Sequence, residues 1–234
     1  TFVLRRIFAG KKARAQAIER RFESGELLTL EEATVLLDRR EEAGSIDDVF
    51  LRRLLDLLSP SIGELIPART SPLGHGEGCR WLTYWEGKSG WALVAVVREA
   101  GSVTPIHAHP HRMLGKAIEG RLEELRFREL EQGSGGARSV ELVSRSLLAH
   151  EELVEADGLA SLHVVRAVGD APAIDIQLRG PEVGRPGRLL RPRERVDVLA
   201  LDVGARITAI EEIDGRPGQS GDGAAAGRPA PEAA

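Results

Sequence analysis

A chain of 234 residues is long enough for one large domain or two small ones, with a real core. Its 42% hydrophobic and 29% charged residues read as a soluble globular protein, and a net charge of -4 leaves nothing global to draw nucleic acid or an anionic membrane. No stretch approaches the roughly 20 apolar residues of a spanning helix. Residues 1–7, broken by Arg5 and Arg6, are too short for a secretory core, and Cys79 stands alone, so no internal disulfide forms; a cytoplasmic protein is expected.

Residues 11–58 read as helices. Ala13, Ala17, Ile18 and Phe22 fall on one helical face. Thr29-Leu30-Glu31-Glu32 has the form of a capping box ahead of Ala33, Leu36 and Leu37. Ser45-Ile46-Asp47-Asp48 opens a further helix carrying Val49, Phe50, Leu54, Leu57 and Leu58, which Pro60 stops. A helical segment packing on the rest of the protein is expected over residues 1–66.

Residues 68–79 hold glycine, proline and serine and read as a loop. Beyond them come short apolar runs split by glycine: 91–97, 117–127, 140–142, 161–167 and 173–178. Their lengths and β-branched content favour strands. Residues 87–90, 99–101, 119–121 and 133–136 are expected hairpin turns. Many short strands at even spacing point to a mainly β domain over 67–213, a sandwich or barrel of the jelly-roll kind. Residues 182–195 read as a loop, 196–213 as one or two strands or a short helix, and 214–234 as a disordered tail.

Three of the six histidines lie in Pro105-Ile106-His107-Ala108-His109-Pro110-His111. An H-x-H pair on an extended segment sends both rings to one face, where they can share an ion at roughly 2 Å per bond. Pro110 ends regular pairing before His111. The competing reading is an exposed histidine-rich turn. His163, in the strand-like run 161–165, becomes a sensible third ligand once it is paired with the upstream H-x-H. His75 and His150 lie in polar, loop-like surroundings and are read as inert.

The stretch from Thr104 through His107 and His109 to Leu114-Gly115-Lys116-Ala117-Ile118-Glu119-Gly120-Arg121-Leu122-Glu123-Glu124 resembles the first metal motif of the cysteine dioxygenase family of thiol dioxygenases, which are cupins. Leu162-His163-Val164-Val165-Arg166 through Asp170-Ala171-Pro172-Ala173-Ile174 is similar to its second motif. The likeness covers about residues 27–180 and implies a cupin barrel behind an N-terminal helical segment. It implies His107, His109 and His163 as ligands of Fe(II), with nickel, cobalt or another divalent transition metal also accepted by imidazole. Met113 falls where many cupins carry a glutamate, which implies an all-histidine site. Arg80 matches the family's carboxylate-binding arginine, though most arginines of a chain are surface residues.

The chain departs from the family after the second motif. Asp175, Gln177 and Arg179 stand where a Ser, a His and a Tyr are usual. Either this face lines the site, with Gln177 and Arg179 binding the substrate, or it points to solvent. His111 is an outer donor near the metal, a substrate contact or an exposed turn residue. The resemblance implies an oxidoreductase that adds O2 to the sulfur of cysteine or a related small thiol carboxylate, giving a sulfinate. Two alternatives are oxidation with carbon–sulfur cleavage or sulfur–nitrogen bond formation, and a non-catalytic metal-binding cupin. A monomer or small homo-oligomer is expected, without nucleic acid or membrane partners.

Overall fold

The computed structural model describes residues 2–60, 70–71, 78–130, 138–148, 153–182, 187–194 and 196–214. Three helices come first: α1 (Phe2–Ser24), α2 (Leu30–Glu42) and α3 (Asp48–Leu57). The capping box opens α2, with the Thr29 hydroxyl accepting from the Glu32 N–H and the Glu32 carboxylate accepting from the Thr29 N–H. Asp47 caps α3 by accepting from the Phe50 N–H. No helix among the described residues is long and apolar enough to cross a membrane.

Twelve strands follow: β1 (Thr70–Ser71), β2 (Cys79–Glu86), β3 (Ala92–Arg98), β4 (Ile106–Ala108), β5 (Arg112–Glu119), β6 (Leu122–Leu130), β7 (Arg138–Leu148), β8 (Leu153–Asp157), β9 (Leu162–Ala167), β10 (Ala173–Arg179), β11 (Arg188–Pro192) and β12 (Arg206–Asp214). They form an open sheet, ordered β1-β2-β3-β10-β5-β8, and a closed six-stranded barrel, ordered β11-β12-β7-β6-β9-β4. From β3 to β10 the chain passes back and forth between the two. β3, β10, β5 and β8 pair in the open sheet, and β4, β9, β6 and β7 pair in the barrel wall. That strand order is a jelly roll.

Alternation along the strands then builds three layers. On β10, Ile174, Ile176 and Leu178 pack with Phe22, Leu36, Leu51 and Leu54, so the helices cover the outer face of the open sheet. Lys116 points the same way, and its buried ammonium donates to the Leu55, Asp56 and Leu58 carbonyls at 3.1–3.3 Å. It gathers carbonyls at the C-terminus of α3, one of which, that of Leu55, also accepts from the Leu58 N–H, at an end where the helix dipole favours a cation. Behind the barrel wall, Leu125, Phe127, Leu142, Val164, Leu190 and Ile207 fill the closed barrel. Between the two sheets lie Leu122, Leu148, Val165 and Ala173, together with the polar residues of the site.

Several sequence expectations need correction. Gly120 is not a hairpin turn but a corner: β5 and β6 lie in different sheets. Its φ of +71° and a carbonyl of Pro172 only 2.6 Å from where a Cβ would sit explain the glycine. Residues 99–101 likewise turn the chain from β3 into the other sheet, whereas 87–90 do join a β2–β3 hairpin. Within the expected loop 182–195 runs β11, which pairs with β12 and β4 to close the barrel. The run 196–213 holds a 3-10 turn at Val198–Ala200 before β12. The turn at 133–136 and the tail from 215 lie outside the described residues.

Candidate metal centre

β4 points Ile106 and Ala108 into the closed barrel, so His107 between them faces the space between the sheets. His163 alternates in the same way between Leu162 and Val164 on β9, and it is the direct cross-strand partner of His107. His109 lies just past the end of β4, yet its ring turns back to the same point. The three rings are buried, and one nitrogen from each lies within 4.8 Å of the others.

Hydrogen bonds fix the tautomers of two of them. His107 Nδ1 is 3.0 Å from the Pro105 carbonyl, and His163 Nδ1 is 2.8 Å from Glu124 Oε1. The Pro105 carbonyl and an ionised Glu124 can only accept, so each Nδ1 carries a proton and leaves Nε2 as the ligating atom. These two lone pairs face each other at 3.3 Å, and His109 Nε2 is 3.1 Å from the same His163 atom. Two acceptors at that distance repel unless a cation lies between them. Nitrogens about 2.1 Å from one ion at tetrahedral-to-octahedral angles stand roughly 3.0–3.4 Å apart, and both separations from His163 fall in that range. The donor set therefore fits a divalent transition metal.

Burial and the neighbouring histidines push the His109 imidazole well below its usual value, so it is a neutral donor at physiological pH. Burial works to raise the Glu124 carboxyl. The hydrogen bonds from His163 and Arg126 outweigh it, and the group is held below the usual carboxylate range. An ionised Glu124 orients His163 and raises the basicity of its ligating nitrogen.

The rings open on a small cavity of about 30 Å³, whose other walls include Cys79, Trp81, Arg98, Met113, Gln177 and Arg179. Asp175, Gln177 and Arg179 are all buried, so the solvent-facing alternative for this strand does not hold. They form a ladder. Arg98 Nη2 lies 3.3 Å from Asp175, Gln177 Nε2 donates to Asp175, and Arg179 donates twice to Gln177 Oε1 at 3.0 and 2.7 Å. Arg179 also lies over the Trp81 ring, 3.4 Å from its centroid. Arg98 has a carboxylate within 4 Å, while Arg179 rests on an amide oxygen and an aromatic face and feels the charge of Asp175 only at longer range. Burial pushes the Arg179 guanidinium down to about 9, still cationic at neutral pH. A buried cation beside a metal site, without a salt bridge of its own among the described residues, can receive a small anion.

No family model and no curated protein matches the chain. Solved structures do. A cupin-2 domain protein from Rhodospirillum rubrum is 17% identical, with 51% of this chain and 70% of that one covered at a TM-score of 0.38. An RmlC-like cupin from Shewanella frigidimarina is 15% identical, with 53% and 91% covered at 0.37. An oxalate oxidase is 17% identical, with 48% and 56% covered at 0.37, so the chain spans about half of that protein. The strand order and the closed barrel make the fold a jelly roll.

The jelly roll brings His107, His109 and His163 together, with Gln177 and Arg179 on the same cavity. Arg80 is a correction. On β2 the cavity residues are Cys79 and Trp81, and Arg80 between them is exposed on the opposite face, out of reach of a bound carboxylate. His111 leans on the His109 ring, with centroids 5.3 Å apart and planes at 30°, behind that ligand rather than in the cavity wall. Met113 faces Arg179 across the sheet and gives the cavity an apolar side. His75 and His150 lie outside the described residues. Sequence reasoning assigned no role to Glu124, Trp81 or Arg98. The one available signal was a carboxylate interrupting the apolar residues Leu122, Leu125 and Phe127.

Proposed function

We propose that this cupin is a metal-dependent thiol dioxygenase that converts cysteine or a related small thiol carboxylate and O2 into the sulfinate. The reaction balances without another redox partner: RS⁻ + O2 gives RSO2⁻, sulfur losing four electrons and dioxygen gaining four. The observation that carries the reading is the pairing of three converging imidazoles with one buried cation, Arg179, around a single small cavity. A dication on His107, His109 and His163 would keep its full charge and offer open positions where thiolate and dioxygen meet. Fe(II) suits this redox chemistry best, and nickel or cobalt fit the same donors.

The chain's own residues do the rest. Arg179 takes the substrate carboxylate through its planar fork, held in aim by Gln177 below and Trp81 beside it. Arg98 and Asp175 anchor Gln177. Met113, Leu148, Val154 and Val165 keep the cavity small and dry, which strengthens both charged contacts. Arg80 has no part in it.

The test is to load the protein with iron anaerobically, titrate cysteine and mercapto acids, admit oxygen, and measure uptake and product mass. One O2 consumed per thiol, with two oxygen atoms gained, is the expected result. Uptake with cleaved or nitrogen-bonded sulfur products would replace the sulfinate outcome. Arg179 stands where the resembling family has a tyrosine, which favours one further reading: stoichiometric metal with no thiol-dependent uptake would make this a non-catalytic metal-binding cupin.

A further inference from the structure

The hydrogen bonds around His163 do not stop at Glu124. Glu124 and Arg126 are two apart on β6 and share the face between the sheets. Arg126 Nε donates to Glu124 Oε2 at 2.9 Å, the oxygen that His163 does not use. The other end of the same guanidinium, Nη2, donates to the backbone carbonyl of Glu155 at 2.8 Å. Glu155 belongs to β8, the last strand of the open sheet, which pairs on one side only, with β5. One side chain thus bridges the wall that holds the ligand and the edge strand of the sheet opposite.

We propose that Arg126 is a positioning residue for the metal ligand His163, acting through Glu124, and that it couples metal binding to the order of edge strand β8. The proposal rests on the metal reading of the site, not on the thiol. Glu124 is almost fully buried, so both of its oxygens need hydrogen-bond partners within the protein. Arg126 holds Oε2. It leaves Glu124 Oε1 as a full-strength acceptor for His163 Nδ1–H, which keeps Nε2 bare and aimed at the other two rings. Pinned by the metal, His163 in turn fixes Glu124 and Arg126, and the bond to the Glu155 carbonyl tightens. Without metal, His163 lacks that anchor and the same chain of contacts is less constrained.

The test uses Co²⁺, whose absorption spectrum reports coordination, on the full chain and on Arg126→Met, Arg126→Lys and Glu124→Gln. Loss of an outer-shell partner costs about 10–100-fold in metal affinity, and that is the fall expected for Arg126→Met and Glu124→Gln, with Arg126→Lys recovering part of it. Hydrogen exchange of amides 153–157 is the second readout. Metal slows it in the wild type and no longer does so in Arg126→Met. A wild-type Co²⁺ Kd in Arg126→Met, or metal-dependent protection of β8 that survives the substitution, overturns the proposal. So does faster exchange of β8 by the same factor with and without metal, the mark of a purely structural bond. If Arg126→Met does not fold, the near-isosteric Glu124→Gln carries the affinity arm. A wild type that takes up no Co²⁺ sinks the metal reading itself, whereas an unaffected variant beside a metal-binding wild type sinks this proposal alone.

Discussion

Replacing Arg179 with methionine is expected to make the metal-free protein more stable while weakening its grip on carboxylates. Burial pushes this guanidinium down to about 9 from its usual value, more than three decades, which at about 1.4 kcal/mol per decade is on the order of 5 kcal/mol of desolvation. Against that, the substitution orphans Gln177 Oε1, about 1–3 kcal/mol, and removes the stacking on Trp81, about 1–2 kcal/mol when desolvated. The remainder is a gain of about 0–3 kcal/mol, because a desolvated buried cation is a cost that function, not folding, requires. Urea denaturation of the metal-free proteins measures it. In parallel, the affinity of a thiol carboxylate should fall about 10–100-fold, the worth of a charged hydrogen bond. That of a thiol without a carboxylate should change by less than about threefold. A variant destabilised by more than about 1 kcal/mol, or one that weakens both thiols equally, would refute the assignment of Arg179 as a buried anion receptor.

Lys116→Met should destabilise the protein by about 2–4 kcal/mol, since three carbonyls at the end of α3 lose a charged donor; a change under about 0.5 kcal/mol by denaturation would show that they find other partners. Gly120→Ala should cost about 2–4 kcal/mol, because the new Cβ would meet the Pro172 carbonyl at 2.6 Å in a left-handed backbone; an unchanged Tm would mean that the corner yields freely. His109 is held neutral in the fold, its value depressed by burial and its histidine neighbours, while the unfolded chain takes up a proton below about pH 6.5. The unfolded state therefore binds more protons in that window, and the stability of the metal-free protein should drop as pH falls from 7 toward 5. In His109→Gln this slope should flatten, and an identical slope in the variant would contradict the reading.

β3 was legible because every residue before Arg98 is apolar, and β9 and β10 because apolar residues recur around His163, Asp175 and Gln177. The caps of α2 and α3 were legible because their chemistry is local. β11 was not: Leu189 and Leu190 sit among Arg188, Arg191 and Pro192, and only pairing with β12 and β4, far along the chain, makes them a strand. Gly120 announced a turn, but a local signal cannot say whether the next strand pairs with the last or crosses to the other sheet. The same limit governed the site. Two-residue spacing placed His107 and His109 together, whereas the partnership of Glu124 with His163 joins residues 39 apart on neighbouring strands. Arg80 failed by a single residue of alternation, since its neighbours Cys79 and Trp81 face the cavity.

Everything in this account turns on one ion shared by three rings, and elemental analysis of the protein purified from cells grown with supplemented transition metals addresses it directly. About one equivalent of a divalent transition metal per chain is predicted for the wild type. It should be lost in His107→Ala, His109→Ala and His163→Ala and kept in His111→Ala. A metal-free wild type that stays empty on anaerobic loading with iron, cobalt or nickel, or an equivalent retained in His163→Ala, would contradict it.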